Sequence, residues 1–300
     1  MITILGPTAS GKTSLATHLA NLLNGEIISA DSRQVYRGMD IGTGKDLADY
    51  KVDGKEIPYH LVDIVDPGYE YNVYEFQRDF LNAYNGIEKR GNLPILCGGS
   101  GLYIESVLKG YKLINVPINQ ELRDELVLKE DGELISILES FTSLHNTTDT
   151  SERERLIRAI EIQKFYDSNP DLDTDFPKIE TKIFGINYDR RVVKMRITER
   201  LEERLSSGMI EEVKRLLDSG LNPDQLTFYG LEYKWVTEYL EGKIAYNEMF
   251  RRLNTAIHQF SKRQMTWFRR MEKQGFEINW IDGNLELNEK IAYILRNLPN

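Results

Sequence analysis

Residues 6–13 read GPTASGKT, and Gly6, Gly11, Lys12 and Thr13 fit the G-x-x-x-x-G-K-[ST] spacing of a phosphate-cradling loop. In such a loop the backbone N–H groups of Gly6, Thr8, Ala9, Ser10 and Gly11 turn inward around Pro7, which has none to offer, and the following helix presents its positive end to an anion. Lys12 adds a mobile cation, and the Thr13 hydroxyl can bind Mg²⁺. Asp31 follows the apolar run EIIS. A carboxylate there can take a proton or bind Mg²⁺ through water, or it can simply close an Asx turn. Gly98-Gly99-Ser100-Gly101 follows LPILC and brings a hydroxyl to the same kind of position, although a plain strand-to-helix turn has the same spacing. Gly42-Thr43-Gly44-Lys45 is a loop that could hold a cation near phosphate.

A second group of residues lies near the C-terminus. Arg251, His258, Lys262 and Arg269 recur at intervals of seven, four and seven, so one helix face carries them. Arg252, Arg263 and Arg270 form a neighbouring stripe, with Trp267 and Phe268 interleaved. Aromatic groups among cations suit RNA contact, and a solvated charged face is the plainer explanation.

The elements that must position these groups alternate in the first half. Ile2–Leu5 reads as a strand into the glycine loop, and Lys12–Leu23 as a helix with Leu15, Leu19, Leu22 and Leu23 on one side. Strands are expected at 26–29, 60–64 and 93–97, with helices at 73–90 and 102–108. That order predicts a P-loop NTPase-like α/β core, a parallel sheet flanked by helices, with ligands at the carboxyl ends of the strands. Residues 113–181 read as a helical insertion containing a polar loop (145–152) and a Pro/Asp-rich connector (168–178). The core is therefore expected over 1–112 and 182–300. Its second part has a strand at 182–189, helices at 190–207, 209–219, 231–240 and 245–273, a strand near 277–281 and a helix near 286–297.

Composition narrows the class. Of the 300 residues 41% are hydrophobic and 28% charged, as in an ordinary globular protein with one sizeable core. MITILGPT has no basic leader and reads as a core strand, and no apolar run is long enough to span a bilayer. The single cysteine, Cys97, excludes an internal disulfide, and no Cys/His spacing suggests zinc, so a cytoplasmic protein is expected. A net charge of −9 argues against non-specific coating of nucleic acid. Basic strips at 190–204, led by Arg190, Arg191, Lys194 and Arg196, and at 251–273 still leave selective RNA contact open. Two classes compete on these residues alone: a kinase moving the γ-phosphoryl of ATP, and a transferase whose loop holds a diphosphate leaving group.

Six stretches taken together resemble the tRNA dimethylallyltransferases, also called tRNA isopentenyltransferases. They are GPTASGKT (6–13), ISADSRQVYRGMDIGTGK (28–45), HLVDIVDP (60–67), GGSGLY (98–103), RLIRAIEI (155–162) and SKRQMTWFRR (261–270). The resemblance implies transfer of a dimethylallyl group from dimethylallyl diphosphate to N6 of adenosine 37, beside the tRNA anticodon, with the base flipped into the enzyme. It implies that Gly6 to Thr13 hold the donor's diphosphate, with Lys12 neutralising it and Thr13 on Mg²⁺. Asp31 then matches the aspartate that receives a proton or hydrogen bond from the adenine amine. Asp31, Ser32, Arg33 and Gln34 match one tRNA-contacting stretch, and Ser100 and Arg123 match two further contacts. Glu154, Arg155, Leu156, Ile157 and Arg158 match a second stretch, inside an insertion that grips the anticodon stem. Lys262 and Arg263 join the tRNA contacts from the basic helix. A monomer is expected, with no membrane partner. The alternatives are a prenyltransferase acting on free adenine nucleotides, a divergent paralogue of low activity and, more remotely, a nucleotide kinase.

The chain departs from the pattern at several positions. Ser100 replaces a Thr, Leu231 a Tyr, and His258 an Arg. Thr227 stands where the family carries an Arg that helps bind the diphosphate. Losing that guanidinium would cost about 3 kcal/mol of transition-state stabilisation unless another cation replaces it.

Overall fold

The structure, a computed structural model, describes residues 1–141, 153–170 and 175–298. The polar loop at 145–152 and positions 171–174 of the connector lie outside the described residues. The chain divides into a larger unit, Met1–Tyr111 with Pro177–Asn300, and a smaller one, Lys112–Phe176.

The larger unit opens with β1 (Ile2–Leu5), α1 (Lys12–Leu23) and β2 (Gly25–Ala30). A 3-10 turn at Leu47–Tyr50 leads to a hairpin, β3 (Lys51–Val52) with β4 (Lys55–Glu56), and then to β5 (Tyr59–His60). After these come α2 (Val73–Lys89), β6 (Leu93–Gly98) and α3 (Gly101–Leu108). The smaller unit holds α4 (Gln120–Val127), α5 (Asp131–Phe141) and α6 (Arg153–Ser168). The larger unit resumes with β7 (Lys182–Asn187), α7 (Arg190–Ser206), α8 (Met209–Asp218), α9 (Pro223–Phe228) and α10 (Leu231–Leu240). It ends with α11 (Tyr246–Lys273), β8 (Ile278–Asp282) and α12 (Leu287–Arg296).

Six strands form one parallel sheet in the order β5-β2-β6-β1-β7-β8. Parallel strands covered on both faces read as continuous apolar runs, and β1 and β2 are buried at every position. Ile2, Ile4, Ile27, Ile95, Phe184 and Ile281 of the sheet share one core cluster with Leu15, Ala16 and Leu19 of α1 and Ile291 and Ile294 of α12. The chain leaves central β1 for β2 on one side and later adds β7 on the other. The carboxyl end of β1 is thus a topological switch point, where a parallel sheet leaves a crevice for ligand.

The strand expected at 60–64 is a correction. Only Tyr59–His60 pair with β2, because Leu61 (φ 62°) and Asp63 (φ 55°) take left-handed conformations that end the ladder. Residues 63–65 instead receive and donate backbone hydrogen bonds beside residues 34–37, flanking the segment that follows β2. The hairpin β3–β4 and helix α9 have no counterpart in the sequence reading. Both are short, two-residue strands and one helix of six residues, below the length at which periodicity is legible.

Helix α11 buries Met249, Leu253, Ile257, Ser261, Gln264, Phe268 and Met271, a three- and four-residue spacing that turns the intervening basic residues outward. In the smaller unit Leu126, Leu134, Leu138, Leu156, Ile157 and Ile160 form a separate core. Beside them Glu161, only 2% exposed, accepts from the Asn119 N–H (2.6 Å), from Arg123 Nε (3.1 Å) and Nη2 (2.8 Å), and from Arg158. Desolvation pushes this carboxyl up, but those donors outweigh it and hold it below its ordinary value. No helix among the described residues is long and apolar enough to cross a membrane.

Candidate active site

The loops after β1, β2 and β6 open on one cavity of about 1070 Å³ within the larger unit. Thr8 to Thr13 form one wall, Asp31 to Gln34 a second, and Gly99 to Tyr103 a third. Phe260, Arg263, Gln264 and Trp267 of α11, Arg196, Arg200 and Arg204 of α7, and residues from the 42–49 and 227–234 segments also line it.

Gly11 enters α1 at φ 76°, a left-handed conformation that suits glycine. Gln264 fixes the loop from outside: its Oε1 accepts from the Thr8 N–H (2.8 Å), and its Nε2 donates to the Gly99 carbonyl (3.0 Å). One buried amide thus ties the glycine loop to the turn after β6. The sequence reading missed this role, and its only signal is Gln264's place inside KRQMTWF. Desolvation lowers the pKa of Lys12 from the ordinary lysine value, while nearby Cys97 and Asp31 act against that shift. Burial pushes the Cys97 thiol up to about 12, so it is no nucleophile.

Asp31 stands at the end of β2, and its Oδ1 accepts from the Arg33 N–H (3.0 Å). The Asx turn and the cavity position therefore coexist: one oxygen shapes the backbone, and the carboxylate still lines the cavity. Ser100 Oγ accepts from the Ser32 N–H (3.0 Å), joining the two turns on either side of Asp31. Gln34 is 8% exposed and lies deeper, accepting from Ser29 Oγ (2.9 Å) and donating to the Gly44 carbonyl (3.1 Å). Arg33 lies over the Phe228 ring at 5.1 Å.

Gly42-Thr43-Gly44-Lys45 is a loop, and its cation is held by internal bonds, not offered to phosphate. Lys45 is 1% exposed and bonds the Tyr36 carbonyl (2.7 Å), Asp40 (2.7 Å) and Asp63, so it staples the loop internally. Glu212 of α8 receives the Asp40, Ile41 and Gly42 N–H groups and the Tyr233 hydroxyl, holding the same loop from the other side. Three of the cations that line the cavity come from α7, beside Lys12, Arg33, Lys234 and Arg263. Arg196, Arg200 and Arg204 recur every four residues, one position before the buried stripe Ile197, Leu201 and Leu205. Arg196 Nε donates to the Ala9 carbonyl (2.8 Å), and Arg200 pairs with Asp46. The sequence showed a basic stretch here but not which of its members faced inward.

Lys262 and Arg263 are exposed, with Arg263 at the cavity edge. Arg270 is committed elsewhere: it pairs with Glu105 (2.6 Å) and covers the Trp267 ring at 3.9 Å. His258 Nε2 lies 3.3 Å from the Lys194 carbonyl. Thr227 lines the cavity, but its hydroxyl donates to the Asp224 carbonyl (2.8 Å) within its own helix. In the smaller unit Glu154 and Arg155 are exposed and Arg123 and Arg158 converge on Glu161, whereas the Leu156 and Ile157 side chains belong to that unit's core.

No group of three or more His, Cys, Asp or Glu side chains among the described residues is placed to hold a metal by itself. Mg²⁺ bound beside phosphates needs one or two protein oxygens and completes its shell with phosphate and water. The Thr13 hydroxyl, with Asp31 in the same cavity, fits that donor set.

A family model described as IPP transferase matches residues 34–271. A curated relative from Bacteroides fragilis, tRNA dimethylallyltransferase 2, is 58% identical over 298 residues, covering 99% of this chain and 97% of that one. The solved structure of a tRNA isopentenylpyrophosphate transferase from Bacillus halodurans is 32% identical with a TM-score of 0.72, over 98% of this chain and 94% of that one. A solved eukaryotic dimethylallyltransferase acting on tRNA shares the fold at a TM-score of 0.81 and 22% identity, over 100% of this chain and 80% of that one.

Proposed function

Since the chain belongs to the IPP transferase family of tRNA dimethylallyltransferases, we propose that it moves a dimethylallyl group from dimethylallyl diphosphate to N6 of adenosine 37 in tRNA. The observation that carries this reading is the meeting, in one cavity, of the phosphate-type loop with Lys12 and Thr13, the carboxylate Asp31, and the Ser100–Tyr103 turn.

The donor's C1–O bond breaks to release pyrophosphate, and the N6 lone pair forms the new bond to C1. The N6 proton passes to Asp31. An allylic cation is delocalised, so the barrier lies in stabilising the departing charge and in holding a weak amine in line. Loop N–H groups from Ala9 to Thr13 and the Lys12 ammonium serve the first need. Asp31, with one carboxylate oxygen held by the Arg33 N–H, serves the second. Mg²⁺ held through Thr13 and the diphosphate would add neutralising charge. Phe260 and Trp267 supply apolar wall for an isoprenoid chain or a flipped base.

Ser32, Arg33, Gln34, Ser100, Lys262 and Arg263 are the tRNA contacts we assign to the larger unit. Arg123 and the Glu154–Arg158 stretch of the smaller unit hold the anticodon stem in this reading, with Leu156 and Ile157 anchoring the helix that presents their neighbours. In this reading the protein works as a monomer in the cytoplasm.

The test is incubation with Mg²⁺, dimethylallyl diphosphate and tRNA bearing adenosine 37, followed by nucleoside digestion. Dimethylallyl-adenosine is the expected product. Product on AMP or ADP with none on tRNA would replace this reading with a free-nucleotide prenyltransferase.

A further inference from the structure

The family pattern has an Arg where this chain has Thr227, and the Thr227 hydroxyl is turned into its own helix. Resting on the function proposed above, the geometry points to Arg204 as the residue that supplies the missing guanidinium to the leaving diphosphate.

Arg204 and Thr227 line the same cavity. The Arg204 side chain is 13% exposed, and its Nη1 lies 3.9 Å from Glu232 Oε1, at the outer limit of an ion pair. Its Nε is buried with no hydrogen-bond partner among the described residues. Its guanidinium packs directly on Gly44, where a Cβ would collide with it and would also press on Arg200. Gly44 also sits at φ 65°, so this loop leaves room for two guanidinium groups side by side. Gln34 holds the Gly44 carbonyl and fixes that room in place.

The other two α7 arginines that line the cavity are already engaged. Arg196 Nε is bonded to the Ala9 carbonyl, and Arg200 is paired with Asp46. Arg204 combines a loose carboxylate partner, an unbonded Nε and a like-charged neighbour in a desolvated wall. Burial and Arg200 both lower its pKa, and burial raises that of Glu232, the marks of charges only partly compensated. An incoming diphosphate relieves that imbalance, and a guanidinium grips phosphate oxygens through two N–H groups at once. Glu232 then acts as a positioning residue, keeping the fork in the cavity.

The test measures affinity for inorganic pyrophosphate by calorimetry, and KM for dimethylallyl diphosphate and for tRNA, in four proteins. They are the wild type, Arg204→Gln, Arg204→Gln/Glu232→Gln, and Arg204→Gln/Thr227→Arg. The double glutamine variant removes the buried pair as a unit and stays interpretable if Arg204→Gln alone fails to fold. Removing Arg204 is expected to weaken pyrophosphate binding roughly 30-fold and to raise the donor KM, leaving the tRNA KM unchanged. Adding Thr227→Arg is expected to restore at least about tenfold of that loss. A folded variant lacking Arg204 that binds pyrophosphate as the wild type does, or a Thr227→Arg change that restores nothing, would overturn the inference. The titration needs no turnover, so a wild type unable to prenylate tRNA defeats the proposed function while the titration still decides the role of Arg204.

Discussion

Helices α7 and α11 both carry arginines at helical spacing, yet the two sets end in different surroundings. On α7, Arg196, Arg200 and Arg204 are half-buried and face the cavity, held by the Ala9 carbonyl, Asp46 and Glu232. On α11, Arg251 and Arg252 close on Glu248 of their own helix, Lys262 and Arg269 are exposed, and Arg270 is drawn to Glu105. Charge density does not separate the two sets. Position relative to the apolar stripe does not separate them either: the α7 arginines sit one residue before Ile197, Leu201 and Leu205, and Arg252, Arg263 and Arg270 sit one residue before Leu253, Gln264 and Met271. What differs is where the stripe carries them, to the cavity wall for all three on α7 and for Arg263 alone on α11. The buried stripe of α11 is nearly continuous along 28 residues and leaves most of its cations on the far side.

The comparison is most directly broken at Arg196. Arg196→Ala should lower kcat/KM for dimethylallyl diphosphate by about 10²–10³-fold, close to 3 kcal/mol, because it removes a cation and the bond to the glycine loop. Steady-state kinetics with a fall below about fivefold would place α7 with α11 as mere surface charge.

Arg270→Ala should leave donor affinity unchanged and cost about 2 kcal/mol of stability, read from the denaturant midpoint, because it strips a strong partner from a carboxylate that is 1% exposed. Desolvation alone would raise the Glu105 pKa, but bonds from Arg270, Tyr111 and Lys109 bring it below the ordinary value. A depressed carboxyl contributes stability that is present above its unfolded pKa and lost as pH falls through its folded one. The gap between wild type and variant should therefore narrow as the pH drops below the usual glutamate range. A gap that widens in acid would contradict this assignment.

Lys262→Ala combined with Arg263→Ala should weaken tRNA binding and shallow the dependence of log K on log salt by about 1 to 2. Thermal stability should not move, since both side chains are exposed. An unchanged salt slope would remove α11 from the RNA surface. Arg251→Ala is expected to be the smallest of these changes, within about 0.5 kcal/mol in stability and silent in kinetics, as suits an exposed pair with Glu248.

Much of the site was legible because it rests on local rules. GPTASGKT between an apolar strand and a helix fixes the loop, and a carboxylate after EIIS must lie at the same edge of a parallel sheet. Ser100 followed from its own turn in the same way. What was not legible depends on tertiary partners. Lys45 belonged to a loop that could hold a cation near phosphate, and only Asp40, Asp63 and the Tyr36 carbonyl reveal it as a staple. Gln264 sits in a recognisable motif, but its bridge from Thr8 to Gly99 spans residues far apart in sequence. Arg204 is one basic residue among many until the fold packs it on Gly44 in the cavity that Thr227 also lines. Leu61 and Asp63 ended a strand whose pattern alone gave no reason to stop.

At the centre of the account is the claim that the glycine loop holds a leaving group and not a phosphoryl donor. The direct measurement is the mass of an anticodon stem-loop RNA bearing adenosine 37 after incubation with the protein, Mg²⁺, dimethylallyl diphosphate and ATP together. The account predicts a gain of one dimethylallyl unit that needs dimethylallyl diphosphate, persists without ATP and disappears in Asp31→Ala. A gain of one phosphoryl unit dependent on ATP, or prenylation undiminished in Asp31→Ala, would contradict it.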